Sequence, residues 1–394
     1  MSLSRELPIH MQRNGIDPLP ELSAIRQHDG VVRSTSPFGM DSWLVTRYAD
    51  VRWVLSDWET FSNVLPIYSA QPGGDQGEQG MRRDGNVLIV DPPEHTRLRR
   101  TVAPEFTARR LSQLEPRITR IVHDHLDAVE RTGSPSDLVT TFSIPVPSLV
   151  ICELLGVPHE DREDFLRHTN GFLSTAFTDE ERKALHAESH AYLARLVARS
   201  RVEPGDGLLG RVTTTHGDEL SDAEIVGLVS LLLLVGHETT TDMLSLGVLA
   251  LLRHPEQLAR LRQDPELIDP AVEELLRWLT IAHVSTTKVA TRRVEVAGQV
   301  IEAGDLVMCS FPAANRDPDF VAQPDELDIT RAPSRHMAFG HGAHHCIGAP
   351  LARLQLRIAL PLLLDRFPGM KLAADPEFRT GHLTHGLKSL LIAW

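Results

Sequence analysis

One stretch near residue 235 constrains this chain more than any other. Ser221-Asp-Ala-Glu224 has the form of a capping box, and behind it run residues 225–235 and 243–252, almost wholly apolar, before Pro255. The spacing predicts one helix of some thirty residues, on the order of 45 Å long at 1.5 Å per residue. Apolar on nearly every side, it is stable only inside a large core. Its middle is polar: Gly236-His237-Glu238-Thr239-Thr240-Thr241-Asp242. An acid and several hydroxyls in a core helix are costly unless they are satisfied or needed. Two readings stand side by side. Thr239 can bond the carbonyl of Val235, four residues back, which bends the helix and opens a groove beside it. Alternatively, Glu238 and Thr239 form a proton-delivery pair that faces a cofactor.

The rest of the chain supports a core of that size. It has 394 residues, 42% of them hydrophobic, and chains of this length bury most of their apolar surface. A formal net charge of −13 argues against a nucleic-acid partner, which needs a basic footprint. Three cysteines, Cys152, Cys309 and Cys346, do not make a disulfide framework, so a reducing compartment is expected. The first twenty residues lack a signal-peptide core. The most apolar run, 225–235, is shorter than the ~20 residues that span a bilayer. The expectation is a soluble cytoplasmic protein with no membrane partner.

Residues 43–46 and 51–55 suggest strand mixed with helix, and residues 96–279 read as mostly helical. Short β-type runs separated by turns follow at 284–289, 293–296, 299–301 and 305–310. A last helix is expected over 350–367, with Pro350 in its first turn, where a missing N–H costs little. Residues 70–80, rich in Gly and polar side chains, read as a mobile surface loop. The fold class expected is mainly α with a minor β portion, in one domain over 1–394.

Residues 338–348, Ala-Phe-Gly-His-Gly-Ala-His-His-Cys-Ile-Gly, are a glycine-rich turn, then Cys346, then a helix start. A thiol at a helix N-terminus is favoured as thiolate by the free N–H groups, and Gly340, Gly342 and Gly348 allow close backbone approach. Three readings compete. Cys346 is an inert buried cysteine. It joins His341, His344 and His345 around zinc, for which the adjacent spacing is poor. Or it is a haem thiolate ligand, which needs one cysteine on a tight loop.

Here the residues resemble a known family. Phe339 to Gly348 is similar to the haem-binding loop of cytochromes P450, F-x-x-G-x-[HR]-x-C-x-G. Glu274-Leu-Leu-Arg277 resembles that family's buried E-x-x-R pair, and Gly236-His-Glu-Thr-Thr240 its oxygen-binding helix centre. Asp91-Pro-Pro-Glu-His-Thr-Arg-Leu-Arg99 and Ala313-Ala-Asn-Arg-Asp-Pro318 are further matches, typical of the soluble bacterial branch. The resemblance runs from about Trp43 to Trp394.

The resemblance implies a triangular, mostly helical fold with haem b between the long helix and the Cys346 loop. It implies Cys346 as axial ligand of the iron, with Phe339, Gly340, Gly348, Val235 and Gly236 against the cofactor. By position, His95, Arg99, His344 and Lys288 match the partners of the haem propionates. Lys288 stands where the family has arginine, and Val235 where it has Ala or Gly. Glu274 and Arg277 take a structural role, pairing with each other and a downstream loop. The activity implied is a monooxygenase, placing one oxygen atom of O2 into a C–H bond or C=C of a sizeable, largely apolar molecule, as secondary-metabolite hydroxylases do. Electrons come from NAD(P)H through ferredoxin and ferredoxin reductase, and Glu238 with Thr239 handles the proton. A peroxide-driven peroxygenase and a haem-bound, non-catalytic binding protein are the rivals.

Specificity segments by resemblance are 63–88, 171–177, 282–287 and 383–387, with His283, Val284, Thr239, Thr384 and His385 as candidate substrate contacts. A basic set, Arg97, Arg99, Arg100, Arg109 and Arg110 with Arg353 and Arg357, is a candidate surface for steering an acidic ferredoxin.

Overall fold

The computed structural model describes residues 7–37, 39–65, 84–158, 161–162 and 179–394. The expected mobile loop and the specificity segment 171–177 lie outside them.

The helices that build the site, in chain order, are α1 (Glu94–Val102), α2 (Ala108–Thr132), α3 (Pro145–Leu155), α4 (Asp179–Val202), α5 (Asp222–Arg253), α6 (Ile268–Leu279) and α7 (Ala349–Arg366). Helix α5 is the one predicted from the apolar run. It has 32 residues, about 48 Å at 1.5 Å per residue, and opens on the expected capping box, with both Ser221–Glu224 bonds formed. It packs against α3, α4, α6 and α7. Leu228, Leu244, Leu246, Leu249 and Leu251 on it are each at most 2% exposed, and each such burial contributes roughly 1.5–3 kcal/mol. Taken whole, α5 is long and apolar enough to cross a bilayer. That apolarity is spent on the protein core.

The minor β portion is also as expected. Strands β1 (Val31–Thr35), β2 (Asp41–Val45), β3 (Phe61–Ser62), β4 (Lys288–Ala290) and β5 (Leu306–Cys309) form one sheet in the order β1-β2-β5-β4-β3. Only β2 and β5 run parallel, with Val307 opposite Trp43 and Cys309 opposite Val45. Residues 51–55 lie in the helix Tyr48–Ser56, so the strand of that region is residues 41–45 alone. A late hairpin, β6 (Glu377–Phe378) and β7 (Leu387–Ser389), lies near the middle of α5.

Behind α7, Glu274 and Arg277 of α6 are buried. Two bonds join them, Arg277 Nε to Oε2 at 2.7 Å and Nη2 to Oε1 at 2.8 Å. The guanidinium also donates to the carbonyls of Asn315, Pro324 and Glu326. Arg331 Nε, at 3.2 Å, and the Asp328 amide complete Glu274. This is the expected brace. It ties α6 to the strand-to-loop segment that leads into residues 337–348.

Candidate active site

One cavity lies between the middle of α5 and the Cys346 loop. Its lining includes Val235, Gly236, Thr239 and Thr240 on one side and Phe339, Gly340, His344, Cys346 and Gly348 on the other. Apolar walls come from Leu88, Phe106, Ile151, Leu232, Met243, Ile281, Ala282, Val284 and Phe311.

The loop is fixed by its own backbone. Gly340 and Gly342 have φ of 68° and 73°, a region that side chains disfavour, and a Cβ on Gly342 would collide with the Leu55 carbonyl. The Cys346 amide donates to the Phe339 carbonyl at 2.9 Å, so the sulfur stands at the start of α7, open to the cavity. Burial inside the protein raises its pKa, while the N–H groups of Gly348 and Ala349 and the charge of Arg99 act in the opposite direction. Behind the loop, the Arg353 guanidinium covers the Phe339 ring, 4.6 Å from its centroid, and is held by both oxygens of Glu273 at 2.6 and 2.8 Å.

At one edge of the cavity four nitrogenous side chains converge. The rings of His95 and His344 are 4.3 Å apart, and among the described residues His95 Nε2, His344 Nδ1 and His344 Nε2 are buried without a hydrogen-bond partner. Burial lowers the pKa of His344 to about 3, helped by His95, Lys288 and Arg99. Lys288 is 1% exposed. Its ammonium gives one proton to the Phe61 carbonyl at 3.2 Å and one to Asn63 Oδ1 at 2.5 Å, which leaves the third. Arg99 Nη2 donates to the His345 carbonyl at 2.7 Å.

On the opposite wall the Thr239 hydroxyl donates to the Val235 carbonyl at 2.9 Å, as the helix-kink reading expected. Thr239 faces the cavity. Glu238 does not line it: this carboxylate turns to Arg379, with Nη1 3.0 Å from Oε1. Val235 is 41% exposed, and what it is exposed to is the cavity.

Residues 199–375 match the family described as Cytochrome P450. Cytochrome P450 FAS1 of Rhodococcoides fascians is 44% identical over the whole of both chains. Cytochrome P450 165B3 of Amycolatopsis orientalis is 42% identical, again over the whole of both. The chain belongs to the cytochrome P450 family. Its fold agrees with a solved structure titled as P450 StaH from glycopeptide antibiotic A47934 biosynthesis, with TM-score 0.91 at 43% identity, covering 99% of this chain and 100% of that one. It is therefore a P450 oxidoreductase of the monooxygenase type.

The residues of this P450 fit the family's haem. Among the described residues, the open sulfur of Cys346 is a donor met only by the backbone amides of Gly348 and Ala349. The unpartnered nitrogens of His95 and His344, beside Arg99 and the spare proton of Lys288, call for anionic acceptors, which two propionates supply.

The candidate substrate contacts divide. Val284 and Thr239 line the cavity, and so do Leu88, Ala282, Ser285 and Thr286 from the expected specificity segments. His283, Thr384 and His385 do not. His283 alone in this run turns away: Ile281, Ala282, Val284, Ser285 and Thr286 take the cavity side, and His283 turns to the N-terminal segment. There it bonds the His10 backbone, while His385 bonds the Gly15 backbone. Thr384 donates to Asp242 at 2.9 Å.

The basic set is largely answered by carboxylates. Arg97 pairs with Glu94 and Glu224, Arg100 with Glu219 at 2.7 Å, Arg110 with Glu105 at 3.3 Å, and Arg357 with Asp269 at 2.7 Å. With Arg353 held by Glu273, Arg109 is left as the exposed member with no carboxylate partner among the described residues. Sequence reasoning missed Arg379. The signal was half present, because acids at 238 and 242 share a helix face and demand a cation.

Proposed function

We propose that this P450 hydroxylates or epoxidises a sizeable, largely apolar molecule in secondary-metabolite tailoring, taking electrons from NAD(P)H through a ferredoxin and its reductase in the cytoplasm. The observation that carries the reading is the cavity itself. A thiol sits on one wall, a helix-centre hydroxyl on the other, and the sides between them are mostly hydrocarbon. The relationship to a P450 of glycopeptide antibiotic biosynthesis supports the tailoring role.

Haem b, when bound, supplies the reductive activation of O2, and in P450s generally the thiolate ligand pushes electron density that favours O–O cleavage. Cys346 would hold the iron, and His95, Arg99, Lys288 and His344 would hold the propionates. Phe339, Gly340 and Gly348 would face one side, Val235 and Gly236 the other. Thr239 acts at the cavity wall. Its hydroxyl proton is committed to the Val235 carbonyl, so its lone pairs remain to accept a hydrogen bond and orient a proton donor. Glu238, next in the chain, stores the proton. The apolar walls orient the substrate and exclude bulk water.

The test is the ratio of product to NADPH in the reconstituted holoenzyme, on a substrate found by spectral screening of natural products. Thr239→Ala is expected to keep substrate binding and release more peroxide, with product per NADPH reduced. An unchanged ratio returns Thr239 to the kink reading. Turnover with peroxide alone would favour the peroxygenase. Binding without NADPH consumption, given competent redox partners, would favour the non-catalytic rival.

A further inference from the structure

Glu238 and Asp242 are four residues apart, so they share one face of α5 and repel each other there. That face meets the hairpin β6–β7, which answers both acids with one cation. Arg379 Nη1 is 3.0 Å from Glu238 Oε1, and its Nη2 is 2.5 and 2.6 Å from the two oxygens of Asp242. Thr384 adds its hydroxyl to Asp242 Oδ2 at 2.9 Å. His382 Nδ1 stands 3.7 Å from Glu238 Oε1, an ion-pair distance that a small shift or one water closes. The hairpin leaves room for this: a Cβ on Gly386 would collide with Asp242 Oδ1 and Arg379 Nη2.

The charges do not balance. Two carboxylates, with 10% and 0% of their side chains exposed, face a single guanidinium. Among the described residues the other titratable neighbours are imidazoles, His382 beside Glu238 and two more that burial keeps neutral. His237, in the same turn, has a lowered pKa and gives its Nδ1–H to the Leu233 carbonyl. His385 is lowered to about 3, by burial and then by Arg13 and Arg379. Burial pushes Asp242 up to about 8, against the pull of Arg379 and with the push of Glu238. Such a cluster keeps one proton at neutral pH.

We propose that Arg379 is a positioning residue that makes Glu238 and Asp242 a one-proton reservoir behind Thr239, refilled from solvent through His382. The proposal rests on the reading of Glu238 and Thr239 given above. A proton that leaves Glu238 for the cavity leaves two carboxylates on Arg379. His382, between the exposed Gly381 and Leu383, takes a proton from solvent on Nε2 and gives one from Nδ1 to Glu238 Oε1. One proton enters for each that leaves. Arg379 keeps the excess negative charge shared, so either acid can hold the proton.

The test uses the ferric holoenzyme and needs no turnover for its first arm. At pH 7 its infrared spectrum is expected to show a protonated carboxyl band that shifts in D2O. Asp242→Asn and Glu238→Gln each remove or displace the band, because the proton belongs to the pair. In turnover, Arg379→Met is expected to lower product per NADPH about tenfold, below the 10²–10⁴ that a positioned acid contributes. Arg379→Lys, which keeps the cation, recovers most of it. His382→Phe is expected to raise the solvent isotope effect on product formation and leave substrate affinity alone. Absence of the carboxyl band, or its survival unchanged in both acid variants, overturns the reservoir. Loss of coupling in Glu238→Gln with none in Arg379→Met overturns it too, and leaves the Glu238–Thr239 reading standing. Unchanged coupling in Glu238→Gln overturns both.

Discussion

Replacing Val235 by alanine tests where the α5 wall stands relative to the cofactor and substrate. Removing two carbons from a fully buried side chain costs about 1.6 kcal/mol at ~0.8 kcal/mol per CH2. Val235 is 41% exposed to the cavity, so only the packed remainder counts, about 1 kcal/mol. Alanine is the better helix former by up to ~0.7 kcal/mol, which offsets much of that. The net loss of stability is therefore expected to stay below about 1 kcal/mol, well under the ~2–5 of a large-to-small change in a closed core. The vacated space is on the cavity side. A ligand that places one more methyl there gains about 0.8 kcal/mol, or roughly fourfold in affinity. The assay is spectral titration of wild type and Val235→Ala with an azole series graded in size, paired with urea unfolding. The larger azoles are expected to bind the variant about fourfold tighter and the smallest equally well. Equal affinities across the series, or a stability loss of several kcal/mol, would mean that Val235 packs into the protein.

Three further outcomes follow from other parts of the structure. Cys346→Ser is expected to abolish the strongly red-shifted Soret band of the reduced CO complex, and a freshly prepared wild type without that band would refute thiolate ligation. Arg277→Met strands the carbonyls of Asn315, Pro324 and Glu326 and leaves Glu274 with Arg331 and the Asp328 amide. A cost of about 3–5 kcal/mol is expected in urea unfolding, and a loss under about 1 kcal/mol would show that the brace is not needed. His10, His283 and His385 have pKa values lowered by burial to about 4, 2 and 3, below the ~6.5 of an unfolded imidazole. Protonation thus favours the unfolded chain. The contribution of these rings is constant above about pH 6.5 and falls below it, by up to ~1.4 kcal/mol per pH unit for each ring, until pH nears the folded values. His283→Phe should make the acid limb shallower by one proton; an acid limb of identical slope in that variant would sink the assignment.

How much of this was legible in the sequence depends on how local each cause is. Helix α5 was readable because its capping box, apolar run and terminating proline are all consecutive. The β4–β5 region was readable because Gly turns separate short β-branched runs. The loop around Cys346 announced itself because close backbone approach demands glycine at fixed offsets. The Thr239 bond to Val235 is likewise a four-residue matter. What failed was long-range. Nothing near Glu238 in sequence says that a guanidinium 141 residues on turns that carboxylate from the cavity. His283 and His385 carry the right chemistry for a substrate contact, but the tertiary packing decides which side they face, and a segment at residues 10–15 claims them. The arginines near residue 100 read as a basic patch, because their carboxylate partners at 219, 224 and 105 are apart from them in the chain or hidden in the same run.

The space left by Gly386 has a consequence for descent. The side chain missing at 386 is the volume that Asp242 and Arg379 occupy. A mutation that adds a methyl at 386 therefore forces a buried ion pair to shift, and a mutation that removes the acid leaves a space that a larger residue at 386 fills. Either change alone disturbs the packing of this pair, whereas the two together restore a closed core. Among lineages that keep this hairpin against α5, positions 242, 379 and 386 should be inherited or replaced as one character.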